Sequence, residues 1–132
     1  MPAILLVDDD MNLLQGLRRA LHSQPYDLFI ATSAEMAMEM FQRRPFDLVV
    51  MDQQMSRVTG SQLATWINDN FPDVVRIMLT GHANVWVAQE AINRGGVHKF
   101  LVKPIRDVDL AMEISEGLQL RIKQAETVTQ EC

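Results

Sequence analysis

The sequence predicts a doubly wound α/β fold, with five parallel strands in one sheet in the order 2-1-3-4-5 and helices on both faces. Three observations carry this. Short runs rich in Val, Leu and Ile alternate five times with segments of helical periodicity, the signature of a βα repeat and not of separate α and β layers. The runs are mostly apolar throughout, as strands covered on both faces must be. Four of the five end on a polar residue, at Asp8, Asp52, Thr80 and Lys103. In open α/β sheets, ligands bind beyond the carboxyl ends of the strands, where the strand order reverses.

Taken in order, Ala3 to Val7 reads as a buried strand ended by Asp8-Asp9-Asp10. Leu13, Leu14, Leu17, Ala20 and Leu21 repeat at helical spacing and leave Asn12, Gln15, Arg18 and Arg19 outward. Asp9 or Asp10 could cap that helix. Gln24-Pro25 breaks it, and Tyr26 to Ala31 forms a second strand, less uniformly apolar, as an edge strand would be. Ser33 is placed to cap a helix whose inner side is Ala37, Met40 and Phe41, and Asp47 to Met51 is the third strand. Beyond the loop from Asp52 to Gly60, Leu63, Ala64, Trp66 and Ile67 mark a third helix.

Val74 to Leu79 is a fourth buried strand, ended by Thr80-Gly81. Val87, Ala88, Ala91 and Ile92 mark a fourth helix, and Gly95-Gly96 is its stop signal. Lys99 to Val102 is a short fifth strand, followed by Lys103-Pro104. Asp107 could cap a last helix built on Leu110, Ala111, Ile114 and Leu118. Its pattern runs to Ala125, longer than the roughly 12 residues needed to cross a five-residue strand of ~17 Å at 1.5 Å per residue. The final turns are therefore expected to project beyond the sheet, as a frayed end or as a connector to an output domain.

With 132 residues and 48% hydrophobic content, the chain is long enough for one domain with a sizeable core. The net charge of −5 argues against nucleic-acid or anionic-membrane binding. Arg18-Arg19 and Arg43-Arg44 read as solvated helix ends. No apolar run approaches the ~20 residues of a membrane span, and the amino terminus lacks the pattern of a signal peptide, so a cytoplasmic location is expected. One cysteine, Cys132, allows no internal disulfide.

If the strands lie as predicted, the first and third are neighbours and Asp8, Asp9 and Asp52 converge. At an effective dielectric of ~20, each pair of unit charges ~4 Å apart costs about 4 kcal/mol, so one lysine is insufficient compensation. A hard divalent cation with oxygen ligands, Mg²⁺ above all, suits such a site. Carboxylates, a lysine and a hydroxyl at strand ends together describe phosphoryl-transfer chemistry. Each feature alone is commonplace, since an acid pair after a strand is often just a turn and helix cap. Their joint occurrence at successive strand ends is not.

Ile4-Leu5-Leu6-Val7-Asp8-Asp9-Asp10, Asp47-Leu48-Val49-Val50-Met51-Asp52, Met78-Leu79-Thr80-Gly81 and Phe100-Leu101-Val102-Lys103-Pro104 resemble the motifs of receiver domains of two-component response regulators. The resemblance covers roughly residues 3–120 and implies a flavodoxin-like fold. It implies that Asp52 is phosphorylated by a sensor histidine kinase, a phosphotransfer protein or a small phosphodonor. Asp9, Asp52 and the backbone carbonyl of Gln54 would hold Mg²⁺ (or Mn²⁺), with Asp8 acting through a bound water. Thr80 and Lys103 would contact the phosphoryl group, Lys103 pairing with Asp52 beforehand. Phe100 would be the switch aromatic, and the Lys103-Pro104 bond would be cis.

The implied output is a change in the face made by the fourth helix, fifth strand and fifth helix, read by an output domain, a partner protein or a second copy. Residues 1–122 would form the receiver domain, and 123–132 the continuation of its last helix or a connector. DNA binding within this chain is not expected, since no residues remain for a helix-turn-helix after that helix, and no membrane contact is expected.

Several positions depart from the family or vary within it. Ser56 stands where the family often has proline. Gln54 and His82 occupy the two positions that influence phosphoryl lifetime, and Phe100 lacks a tyrosine's hydroxyl. Trp86 falls either on the outer side of the fourth helix or in the core. Gly95 to Phe100 resembles receivers that precede cyclic-diguanylate hydrolases and related enzyme outputs. Two rival readings remain open. A haloacid dehalogenase-type phosphatase would use Asp8 and Asp10, with Asp107 and Asp109 imitating its final acidic pair, and would leave Asp52 without a role. A pseudo-receiver would act as a binding module only.

Overall fold

In the computed structural model, β1 (Ala3–Val7), β2 (Asp27–Ala31), β3 (Leu48–Asp52), β4 (Val75–Thr80) and β5 (Lys99–Val102) form one parallel sheet in the order β2-β1-β3-β4-β5. The helices with complete bounds are α1 (Met11–Ala20), α2 (Ala34–Arg43), α3 (Gly60–Asn70) and α4 (Asp107–Glu131). The structure describes residues 1–81, 88, 89, 92 and 94–131, with side chains as far as Ile122. Ala88, Gln89, Ile92, Arg94 and Gly95 are helical, in agreement with the predicted fourth helix. The readings of His82, Trp86, Val87, Ala91 and Cys132, and of the Ala125 side chain, lie outside the described residues.

The sheet divides the core in two because side chains of a strand alternate between faces. Ala3, Leu5, Val7, Val49 and Met51 meet Ala37 and Phe41 of α2 and Leu63, Ala64 and Ile67 of α3. Ile4, Leu6, Leu48, Val50, Val75 and Ile77 meet Leu14 and Leu17 of α1 and Leu110 and Ile114 of α4. Both faces are therefore covered, as the uninterrupted apolar runs required. β2, read as less uniformly apolar and so as an edge strand, does lie at an edge.

The caps fall close to the predicted places. Asp10, not Asp9, caps α1 and accepts from the Leu13 N–H at 3.2 Å. Ser33 caps α2, accepting from the Met36 N–H at 3.0 Å. Thr59 and Gln62 form a reciprocal capping box at α3 that the sequence reading missed. Asp107 sits inside the first turn of α4 instead of ahead of it, where its charge still suits the helix dipole. Gly96 has φ of 60°, the left-handed conformation that ends helices at little cost when no Cβ is present.

Two strand ends move by one residue, with consequences for the site. β3 includes Asp52 and β4 includes Thr80, so both are the last hydrogen-bonded residues of buried strands and not the first of loops. Parallel ladders hold them there: Asp52 stands opposite Leu79, and Thr80 opposite Val102. Their side chains inherit the rigidity of the sheet.

Candidate functional site

The register brings the predicted residues together at the carboxyl edge. Val7 is opposite Met51, so Asp8 and Asp52 follow on neighbouring strands. One carboxylate oxygen from each of Asp8, Asp9 and Asp52 lies within 4.8 Å of the others. Asp8 and Asp52 are only 6% and 7% exposed, whereas Asp9 is open to solvent. Lys103 reaches back from the end of β5, its Nζ 2.9 Å from Asp8 Oδ2 and 3.5 Å from Asp52 Oδ1. The expected Lys103–Asp52 pair is thus present, but the shorter contact is with Asp8.

Burial pushes the Asp52 carboxyl above its ordinary range, and the Asp8 charge adds to the rise. The Lys103 charge and the Gln54 backbone pull the other way. Lys103 is drawn down by burial, but its hydrogen bond to Asp8 and the charges of Asp8 and Asp52 outweigh this and raise its pKa. Three acids therefore share one ammonium group, a net surplus of negative charge in a largely buried setting. The donor set fits a hard divalent cation: the oxygens are carboxylate, convergent and partly open to water through Asp9. A soft metal would want sulfur or imidazole ligands, which this cluster lacks.

The remaining predicted residues lie around this cluster. Thr80 is fully buried at the end of β4, and its carbonyl accepts from the Lys103 N–H at 2.7 Å. Phe100 on β5 is half-buried against the α2–α3 side of the core. The Lys103-Pro104 bond is cis. Gln54 is exposed beside Asp52. Asp10 is engaged as the cap of α1, and Asp109 pairs with Arg106 at 2.8 Å. Two of the acids that a haloacid dehalogenase reading needs, Asp10 and Asp109, are thus committed elsewhere, while Asp52, which has no role in that reading, stands in the cluster with Asp8.

Sequence reasoning missed how the β3–α3 loop is held. The side-chain oxygen of Gln53 accepts from the N–H and the hydroxyl of Ser61, at 2.8 and 2.7 Å. Gly60 packs against the acceptor strand so tightly that a Cβ there would stand 2.3 Å from the Asp52 carbonyl oxygen. The Gly-Ser pair opening α3 was the available signal. Arg57, exposed in the same loop, adopts φ of 67°, an uncommon conformation for a residue with a side chain.

Comparison with known proteins points the same way. The family model described as the response regulator receiver domain matches residues 4–115. The transcriptional regulatory protein GlrR of Escherichia coli is 34% identical over 116 residues, 88% of this chain and 26% of that protein. The alginate biosynthesis transcriptional regulatory protein AlgB of Pseudomonas aeruginosa is 30% identical over 118 residues, 89% of this chain and 26% of that protein. The chain spans about a quarter of the length of the curated relatives it matches. Among solved structures, the signal receiver domain of an HD domain-containing protein from Pseudomonas fluorescens superposes with a TM-score of 0.89 at 32% identity, covering 92% of this chain and 98% of that one. A CheY-like receiver domain protein from Methanospirillum hungatei gives 0.90 at 27% identity, covering 94% and 98%.

Proposed function

Because this chain belongs to the receiver domains of two-component response regulators, we propose that it is a phosphoacceptor in which Asp52 takes the phosphoryl group. The observation that carries this reading is the convergence of Asp8, Asp9 and Asp52 around Lys103 at one sheet edge. Receiver domains are signalling domains, and the chemistry here is confined to the chain's own acceptor.

In the forward step an Asp52 oxygen attacks phosphorus. The O–P bond forms as the N–P bond of a phosphohistidine breaks, and the electron pair stays on the imidazole nitrogen. The donor is a sensor histidine kinase or a phosphotransfer protein. Asp9, Asp52 and the Gln54 carbonyl would hold Mg²⁺ (or Mn²⁺), with Asp8 acting through a water, and the ion would supply positive charge against the phosphoryl oxygens. Lys103 leaves its pair with Asp8 and Asp52 for a phosphoryl oxygen, and the Thr80 hydroxyl donates to another. The reverse step is hydrolysis: water attacks phosphorus, and Asp52 departs as a carboxylate.

Phosphorylation adds charge and acceptor oxygens at the end of the sheet. Thr80 follows them, Phe100 turns inward, and the balance between two states shifts. The face of the fourth predicted helix, β5 and α4 carries the change to an output domain or partner protein. Exposed Ile92, Val102, Val108 and Met112 on those elements support that role. A second copy of the chain is another candidate partner. Residues 1–122 form the receiver unit, and 123–132 serve as an extension of the last helix or as a connector to an output domain. The site of action is the cytoplasm; among the described residues no helix is long and apolar enough to cross a membrane.

The test is intact-protein mass spectrometry after treatment with acetyl phosphate and Mg²⁺. One phosphate adduct is expected on the wild type and none on Asp52→Ala. A wild type that stays unmodified both here and with a phosphorylated kinase would favour the pseudo-receiver reading.

A further inference from the structure

One side chain beside the acceptor has no part in the chemistry above. Gln53 follows Asp52 directly, and its side-chain oxygen accepts both donors of Ser61, the second residue of α3. Its main-chain carbonyl accepts from the Gly60 N–H at 3.1 Å. Three hydrogen bonds therefore tie the start of α3 to this single residue. Gly60 permits the approach, because any side chain there would collide with the Asp52 carbonyl and with Gln53 Cα.

The geometry of the peptide unit supplies the next step. In a planar trans peptide the C=O and the N–H point in opposite directions. The Gln53 carbonyl faces Gly60, so the N–H of Gln54 in the same peptide faces away from α3; the Gln54 backbone in turn lowers the pKa of the neighbouring Asp52 carboxyl. A freely rotating peptide would present its N–H there only part of the time. A clasped one presents it continually, before any charge develops.

We propose that Gln53 is a positioning residue: by clasping Ser61 it fixes the Gln53–Gln54 peptide and holds the Gln54 N–H on the acceptor carboxylate of Asp52. This rests on the reading of Asp52 as the phosphoacceptor. On that reading, the N–H is a pre-aimed donor to the oxygens of the reacting group. The clasp also ties α3 to the acceptor strand, so the first turn of α3 moves with the loop.

The experiment compares Gln53→Met, which keeps length and removes the acceptor oxygen, with Gln53→Glu, which still offers an oxygen to both Ser61 donors. The first readout is hydrogen exchange of the Gln54 amide by NMR in unphosphorylated protein without metal. The second is the rate of adduct formation from acetyl phosphate. Gln53→Met is expected to speed Gln54 exchange about tenfold, and to slow adduct formation about tenfold, less than the 10²-fold or greater cost of deleting such a donor outright. Gln53→Glu is expected to restore slow exchange. If Gln53→Met lowers thermal stability yet leaves both readouts within about twofold of wild type, Gln53 is only a staple and the proposal is wrong. If the wild type accepts no phosphate on Asp52, the reading of function fails, and the exchange measurement alone still decides whether Gln53 aims the Gln54 N–H.

Discussion

The two edges of the sheet bury charge in opposite ways. At the carboxyl edge, buried Asp8 and Asp52 crowd together with Asp9 and share Lys103. Near the amino edge, Arg76 on β4 is equally buried, at 3% exposure, but is surrounded by acceptors. Its Nη1 donates to the Val74 carbonyl at 2.7 Å, its Nε to the Gly96 carbonyl at 3.1 Å, and its Nη2 to Asn68 Oδ1 at 3.2 Å. Among the described residues no carboxylate pairs with it. A cavity of about 500 Å³ also opens at this edge, but Arg43 and Arg121 on its wall are engaged with Glu39 and Asp47. The contrast separates two uses of a buried charge. One edge is satisfied and holds the fold together, while the other is left short of positive charge and so can respond to a cation or a phosphoryl group.

The sharpest way to break this contrast is to remove Arg76. Arg76→Met keeps much of the volume but strands the carbonyls of Val74 and Gly96 and the Asn68 side chain. Unfolding in urea should show a loss of about 3 kcal/mol, in line with the cost of buried groups left without partners. Arg76→Lys should recover little, because one ammonium group cannot replace a planar fork of donors. A loss under about 1 kcal/mol would mean that water serves these acceptors and that the edge is not a closed network.

Next in size is Gly60→Ala. The added methyl must move backbone and not a flexible side chain, since the nearest atoms are the Asp52 carbonyl and Gln53 Cα. Overpacking of this kind should cost about 2 kcal/mol in urea unfolding. It should also slow modification of Asp52, because the strain falls on the acceptor's own peptide. A variant equally destabilised at the amino edge should be modified at the normal rate, and that difference tests whether the two edges are separable.

At the carboxyl edge the sign of the stability effect should reverse. Asp52→Asn removes one of three crowded charges and should raise stability at neutral pH by about 1 kcal/mol, seen as about 3 °C in thermal unfolding. The folded-state pKa of Asp52 is raised, chiefly by burial, so ionising it opposes folding. That penalty is absent below the unfolded-state value of ~3.9 and appears as pH rises through the folded-state value. The gap between variant and wild type should therefore close on acidification. A destabilised Asp52→Asn at neutral pH would mean that Lys103 already compensates this edge in full.

Most of the fold was legible because strand burial and helix periodicity are local properties: β1 and β5 fell at their predicted bounds, and β2 was recognised as an edge from its mixed composition. The cluster of Asp8, Asp9 and Asp52 followed from strand order. What stayed hidden depended on side chains meeting across the fold. Arg76 sat inside a run read simply as a buried strand, and nothing in the sequence announces that Gly96, Val74 and Asn68 would surround it. The preference of Lys103 for Asp8 and the Gln53–Ser61 clasp are of the same kind. Asp52 and Thr80 were placed just after their strands because polar residues look like strand ends, whereas the ladder to the next strand includes them.

The smallest expected effect lies beside Arg76 and opposes the Asp52 case in pH. The His98 Nδ1 accepts the Arg76 backbone N–H at 3.1 Å, and the His98 backbone N–H donates to the Arg76 carbonyl at 2.8 Å. Burial first, and then the Arg76 charge, hold the imidazole pKa below the ordinary value. A base with a depressed folded-state pKa contributes stability above its unfolded value of ~6.5, and loses it as pH falls through the folded value. Protonation would fill the Nδ1 lone pair that the backbone N–H uses, so β4 would lose an anchor next to its buried arginine. Acidification below ~6.5 should therefore weaken the amino edge, whereas protonation of Asp52 relieves the carboxyl edge. The His98→Gln variant should flatten the upper limb of the stability profile by on the order of 1 kcal/mol, the net worth of one hydrogen bond. An NMR titration placing the His98 imidazole at or above its ordinary pKa would remove the pH contrast between the two edges.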